Sequence, residues 1–485
     1  MQRKNSVNLM NIFKNYKLMM TTCLVVFSGI SVTAKSKIVA IDSIEALVQV
    51  AAEDGQQVRM KSGVYALSDY LNEERIAKLL AELPPQTETQ RRPPRWFLRF
   101  SGNNNTFDFT GVTIEIDTEL YSQLPYGYMR CIFIDGDGNT LKGLTIKNTG
   151  PEDKGSNGNI LSVFGNNTLL EDVKLYVRGS TYGYGDLFGK GGPVLTHLQK
   201  QSGIMVAGQN NTLRRCKVFS RAFGHCFYIQ TQGHDTRDIL LEDCYAEGAM
   251  RSTNSILAET GGLAEELNYR SVYLNRDGRY MISPGYTKSL SEDGFRTYGG
   301  VGKVTLRNCT AKNTRAGFEI GGTNDSENRT LLQGCQAIGT ERAFLLGSNV
   351  LVRDCRGDIQ YGPLLYLREN TVGSDVELEL IPGMPNSLVH TIASIAGKNH
   401  RIRLYNNASQ VSTPALPIML GFGMPAHGEM SSPIVPMETE GVELINQLVN
   451  QTVIVSDEAK NVKVVSSAPV LQDSESKKMS GRGKW

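Results

Sequence analysis

One six-residue pattern recurs through the middle of this chain and limits what it can fold into. A leucine or valine is followed after two residues by Leu, Val or Cys, and two residues later by an apolar or small residue. It reads Leu141-Lys-Gly-Leu144-Thr-Ile146, Leu170-Glu-Asp-Val173-Lys-Leu175, Leu213-Arg-Arg-Cys216-Lys-Val218 and Leu241-Glu-Asp-Cys244-Tyr-Ala246. It returns as Leu306-Arg-Asn-Cys309-Thr-Ala311, Leu332-Gln-Gly-Cys335-Gln-Ala337 and Val352-Arg-Asp-Cys355-Arg-Gly357. Most copies lie 20–29 residues apart, with longer gaps after Val173 and Cys244. Repeats of this length are supersecondary units that bury their apolar faces only by stacking on their neighbours. The pattern predicts one all-β, right-handed parallel β-helix whose two long gaps are loop insertions at about 178–201 and 248–300.

A second strand precedes most of these copies: Leu161-Ser-Val163, Ile204-Met-Val206, Phe227-Tyr-Ile229, Phe318-Glu-Ile320 and Leu365-Tyr-Leu367. Side chains alternate across a strand, so the outer two residues of each triplet point inward and the middle one outward. Asn166-Asn167, Asn210-Asn211 and Asn349 mark the corners, since asparagine tolerates the left-handed conformation. Cys216, Cys244, Cys309, Cys335 and Cys355 occupy equivalent positions and read as one buried column of small hydrophobes.

Charge does not suggest a nucleic-acid binder, because 51 Lys and Arg meet 49 Asp and Glu in 485 residues. Eight cysteines are too few for a disulfide scaffold of this length. Arg3, Lys4, Lys14 and Lys17 precede the apolar run Leu18–Val32, and Val32-Thr33-Ala34 has the small residues of a cleavage site. Residues 1–34 are therefore expected to be a signal peptide, with the protein exported to the periplasm or beyond. Its removal takes away those four positive charges and leaves a net charge of −2. Residues 35–471 are expected to form the single β-helix domain, capped by a helix near 43–53, and 472–485 a flexible C-terminal tail. Residues 66–95 read as a helical excursion, and the coils past Val376 look less regular.

An export signal, a cap helix leading into Gly63-Val64-Tyr65, and asparagine-cornered coils together resemble the right-handed parallel β-helix, pectate-lyase-like superfamily of carbohydrate-active enzymes. The signal and repeats are also similar to those of Bacteroidota enzymes that take apart anionic plant or algal glycans. The superfamily holds lyases, hydrolases, epimerases and phage tailspikes, so the resemblance implies the fold and leaves the chemistry to the site.

Functional groups on a solenoid sit on outward strand positions walled by inserted loops. The two insertions flank the coil over 204–247, which is expected to be the floor of a cleft. Its segment Phe223-Gly-His225-Cys-Phe-Tyr228-Ile-Gln230-Thr-Gln-Gly-His234-Asp235 is dense in polar groups. Tyr228 and Gln230 are expected to point outward together. His225 reads either as a buried corner histidine or as a catalytic group, and His234 as a turn residue near the rim. The first insertion adds His197 and Lys200; the second adds Arg251, Glu259, Tyr280 and Arg296. Arginine holds carboxylates through two parallel hydrogen bonds, so these loops suit an acidic glycan as the partner.

Two reactions fit these residue types. In β-elimination, cations neutralise a uronate carboxylate while a base removes the proton beside it. His225, Tyr228, His197 and Tyr280 are the expected proton carriers, with Gln230, His234, Arg251, Arg296 and Lys200 binding substrate. Hydrolysis instead needs two converging carboxylates. Asp235, Glu247, Glu259, Asp277 and Glu319 are available but form no evident outward pair. A glycan-binding solenoid without catalysis is the third reading. No motif requires a cofactor; Ca2+ is the one ion that carboxylate neutralisation leaves open.

Overall fold

The computed structural model describes residues 37–81, 95–123, 129–152, 154, 158–179, 200–261, 285–323, 325–407, 414–423 and 435–475. The expected signal peptide, the tail beyond Glu475, most of the first insertion and residues 262–284 of the second, including His197 and Tyr280, lie outside them. The remainder is a parallel β-helix. Among the described residues, one parallel sheet has 22 strands in two columns and a second has 13. Through Ile338 the coils therefore present three faces; at Val350–Gly357 the two columns merge into one strand, and the coils after it carry a single strand of the larger sheet.

The repeated pattern is the register. Leu141, Leu170, Leu213, Leu241, Leu306, Leu332 and Val352 pair successively along one interior row. Ile146, Leu175, Val218, Ala246, Ala311 and Ala337 form a second. The five repeat cysteines are all buried and carry free thiols. Asn167, Asn210 and Asn349 take φ of 56° at the corners. Asn139 and Asn211 spend their side-chain amides on corner carbonyls of their own coil and the one before. Those carbonyls would otherwise be buried without partners.

The 13-stranded sheet rests on a stack of phenylalanines. Phe227, Phe295, Phe318 and Phe344 lie ring on ring, 4.9, 5.0 and 5.2 Å apart and within 8° of parallel. Burying each contributes about 1.5–3 kcal/mol relative to exposure. At the N-terminal end the helix Ile44–Val50 closes the first coil with Ile44, Leu47 and Val50 turned into the core. Ser43 caps it, its Oγ accepting the Ala46 N–H at 3.2 Å. The excursion after Ala66 holds the helices Leu67–Tyr70 and Glu73–Ala81.

One expectation holds in part and one needs correcting. The coils past Val376 keep pairing, Asp375–Leu380, Arg401–Tyr405, Glu443–Asn446 and Lys463–Ser466 in sequence, but the larger sheet is reduced there to a single column. Their short apolar alternation persists although the cysteine position of the pattern is gone. The second insertion ends earlier than 300. Asp293–Thr297 is a strand of the 13-stranded sheet, paired between Phe227–Ile229 and Ala316–Gly322.

Candidate active site

That extra strand assembles the most charged region of the protein's interior. On the outward side of the sheet, Arg296 lies between Tyr228 and Glu319, one residue per coil. In the same strand Gly294 and Phe295 face inward together. A Cβ on Gly294 would stand 2.8 Å from both Ala311 Cβ and the Gly317 carbonyl, so only glycine lets the strand sink this far. Two successive inward residues leave Asp293 and Arg296 facing outward.

Glu292 and Asp293 are fully buried and surrounded by positive groups. Both Glu292 oxygens accept from Lys200 Nζ at 2.8 Å, and Arg315 Nη1 reaches Glu292 at 3.2 Å. Arg315 Nη2 donates to Asp293 at 3.0 Å, and Arg296 Nη1 approaches Asp293 at 3.4 Å. Arg296 also pairs with Glu319, which Arg368 reaches at 3.5 Å. Burial pushes the Glu292 carboxyl up, but His225 in its protonated form, Lys200 and Arg315 outweigh it and hold it down at about 2. Asp293 is likewise buried yet held well below the usual carboxylate range, chiefly by Arg315 and His225. Both are ionised at neutral pH.

His225 stands between them. Its Nε2 lies 3.4 Å from Glu292, and its Nδ1 lies 3.1 Å from Asp293 at an angle too bent for a full hydrogen bond. Nε2 also meets the Tyr298 hydroxyl at 2.8 Å. Burial raises the Tyr298 hydroxyl, although the Arg296 guanidinium 4.5 Å over its ring pulls the other way. The phenol is therefore neutral at ordinary pH. Tyr228 is more deeply buried, its ring 5.3 Å from His225 and its hydroxyl donating to Asn159 at 2.5 Å.

Five of the residues singled out from the sequence, His225, Tyr228, Lys200, Arg296 and the acid Glu319, come together here. Others do not. Gln230 ends its strand and accepts from Gln232 at 2.8 Å in the turn. His234 is exposed, its ring edge-on to Phe164 at 5.0 Å. Arg251 pairs with Glu259 on the hairpin formed by Met250–Ser252 and Thr287–Ser289. It belongs to that loop because its strand pairs with Thr287–Ser289 and not with the β-helix. Of the proposed acids, Asp235 pairs with Gln209 and Arg237 at the surface.

Glu292, Asp293, Arg315 and Tyr298 were not foreseen. Phe295-Arg-Thr297 has the same form as Phe227-Tyr-Ile229 and Phe318-Glu-Ile320, and Tyr298 follows Arg296 at the alternation spacing. Reading it as a strand would have placed Arg296 and Tyr298 on the floor. Nothing local marks Glu292 for burial, since its partner Lys200 is 92 residues away.

The two buried carboxylates are turned to Lys200, His225 and Arg315 and leave no open ligand set. Among the described residues no group of three or more acidic, histidine or cysteine side chains is arranged to hold a metal. What a ligand meets is the more exposed layer above: Arg296 and Lys200, with side chains 20% and 24% exposed, and Arg368 at 48%. Arg296 Nε has no hydrogen-bond partner among the described residues.

No protein-family model matches the chain, and no curated protein matches it in sequence. Among solved structures it is similar to a PL6 alginate lyase in complex with a trisaccharide, at 11% identity and TM-score 0.41, covering 91% of this chain and 85% of that one. A mannuronic-acid-specific family 6 polysaccharide lyase from human gut microbiota gives 8% identity and TM-score 0.41, over 89% and 83% of the two chains. A rhamnogalacturonan lyase gives 12% and 0.37, over 88% and 81%. Likeness at this level assigns no residue a role.

Proposed function

We propose that this protein is an exported enzyme that cleaves or dehydrates an acidic, uronate-containing glycan by β-elimination. The observation that carries the proposal is the layering of charge: buried, ionised Glu292 and Asp293 below, and the cations Arg296, Lys200 and Arg368 above, beside the His225–Tyr298 pair. The cations hold the uronate carboxylate and stabilise the charge that grows on it as the neighbouring proton leaves. That proton passes to the Tyr298 oxygen as the phenol's own proton moves to His225 Nε2. The imidazolium so formed lies between two carboxylates, which stabilise it. The C–O bond to the leaving group then breaks, a C=C bond forms, and the proton returns through Tyr298 to the leaving oxygen.

Hydrolysis is the second reading. It requires a carboxylic acid that is protonated at working pH and can reach the glycosidic oxygen. Glu292 and Asp293 are ionised and fully buried, which favours elimination. The test is product absorbance on a panel of uronate polymers and oligosaccharides. Elimination yields unsaturated uronates that absorb in the ultraviolet. New reducing ends without that absorbance would replace this proposal with the hydrolase.

A further inference from the structure

A second groove lies on another face of the β-helix. It is lined by the ends of the strands Thr145–Thr149, Lys174–Val177, Lys217–Ser220 and Tyr245–Glu247 and encloses about 560 Å³. Its outward row runs Lys147, Tyr176, Phe219, Glu247, one residue per coil. The Tyr176 and Phe219 rings stack at 5.1 Å and 13°. Tyr176 remains 41% exposed, and among the described Phe, Tyr and Trp residues it is the one so exposed. An apolar ring left open in a row of charged residues is not explained by packing, because the core is already filled from the other side of these strands.

The rim carries both signs: Lys147 is paired with Glu115 at 3.0 Å, and Glu247 closes the row. Lys147, Arg178 and Arg221 carry side chains 50%, 40% and 56% exposed. Glu152 is shared between Arg178 at 3.8 Å and Arg221 at 3.0 Å, so one carboxylate is divided between two guanidinium groups. Aromatic rings offer apolar faces to the C–H faces of a sugar, and guanidinium groups take carboxylates. We infer that this groove is a second binding site for the acidic glycan, separate from the His225 site. The inference rests on the acidic glycan of the proposed function. It adds that a long chain is held on a face where no bond is broken.

The experiment is electrophoresis of the full-length protein through native gels containing polygalacturonate or alginate. The background is His225→Ala, so that the polymer is not consumed. At least one polymer should retard this protein. Adding Tyr176→Ala and Phe219→Ala should weaken retardation about tenfold, the scale of a few lost apolar contacts. Arg178→Gln with Arg221→Gln should weaken it in a salt-dependent way and guards against misfolding of the aromatic variant. In the active protein, the same changes should leave turnover of a short uronate oligosaccharide within about twofold, since none touches the catalytic cluster. Undiminished retardation in both double variants would overturn the groove. So would an aromatic variant that keeps its retardation but changes from dimer to monomer by light scattering, because the surface would then pair two copies. Groove-dependent retardation without ultraviolet-absorbing products would instead retain the groove and sink elimination.

Discussion

The hydroxyl of Tyr298 and Nε2 of His225 meet at 2.8 Å although 73 residues separate them in sequence. The contact exists because the Asp293–Thr297 strand stacks directly on Phe227–Ile229. If this pair moves the proton, Tyr298→Phe and His225→Ala should each lower kcat by about 10²–10⁴ with KM little changed. The double variant should be no worse than the poorer single one, since the two act as a unit. Additive losses in steady-state kinetics would show that they act separately.

Arg296 is asked to do two things, and substitutions separate them. It meets the substrate carboxylate in the proposed reaction, and it compensates Asp293 and Glu319 beneath it. Arg296→Gln should cost roughly 3–4 kcal/mol of transition-state stabilisation. It should also cost about 1–3 kcal/mol of folding stability, because buried acceptors lose a partner. Arg296→Lys keeps the charge but not the fork, so it should recover stability more fully than turnover. Urea midpoints read beside kcat/KM check both.

The fold was legible because its signal is both local and repeated. Leu213, Leu241 and Leu306 sit at the same place in the same six-residue pattern, and stacking requires them to pair. The charged cluster around His225 was half legible. Tyr228 lies in a strand bounded by recognisable corners, so alternation placed it, whereas His225 precedes that strand and its side stayed open. Arg296 was found by its residue type and assigned to a loop, because Gly299-Gly300 follows its strand where other coils carry asparagine. Glu292 and Arg315 escaped because burial of a charge is decided by partners far along the chain. A single sequence does not show that Lys200 ends 2.8 Å from Glu292.

Acid should weaken the fold in two separable steps. Burial lowers His400 from its usual 6.5 to about 4 in the folded protein. Its Nδ1 accepts the Ser374 N–H at 3.0 Å, which requires a neutral ring. A base depressed on folding contributes fully above pH 6.5, and that stability is lost as pH falls toward 4. Glu292 lies at about 2 against an ordinary 4.5, so its contribution is full above pH 4.5 and disappears between there and about 2. Urea unfolding at a series of pH values should show His400→Gln flattening the upper window only. Glu292→Gln should make the lower one shallower and leave the upper one alone, with Asp293 supplying what remains.

The cysteine column makes a prediction that is independent of catalysis. Cys216, Cys244, Cys309, Cys335 and Cys355 are each at most 1% exposed, and each Sγ rests on a backbone carbonyl; Cys309 reaches the Leu241 oxygen at 3.5 Å. Burial pushes the Cys309 thiol well above its usual range, so almost none of it is the reactive thiolate. On the other sheet Cys131 is pushed up to about 12 for the same reason. Burial denies a reagent access to all of these thiols, and at Cys309 and Cys131 it suppresses ionisation as well. The native protein should leave all seven described cysteines unlabelled by a thiol reagent over minutes, and denaturant should release them together. Cys309→Ala should cost only about 1–2 kcal/mol, the loss of one small buried group with a partly collapsed cavity. Rapid native labelling at any of the five would mean that its coil opens locally, and the column would then be a weak seam in the solenoid.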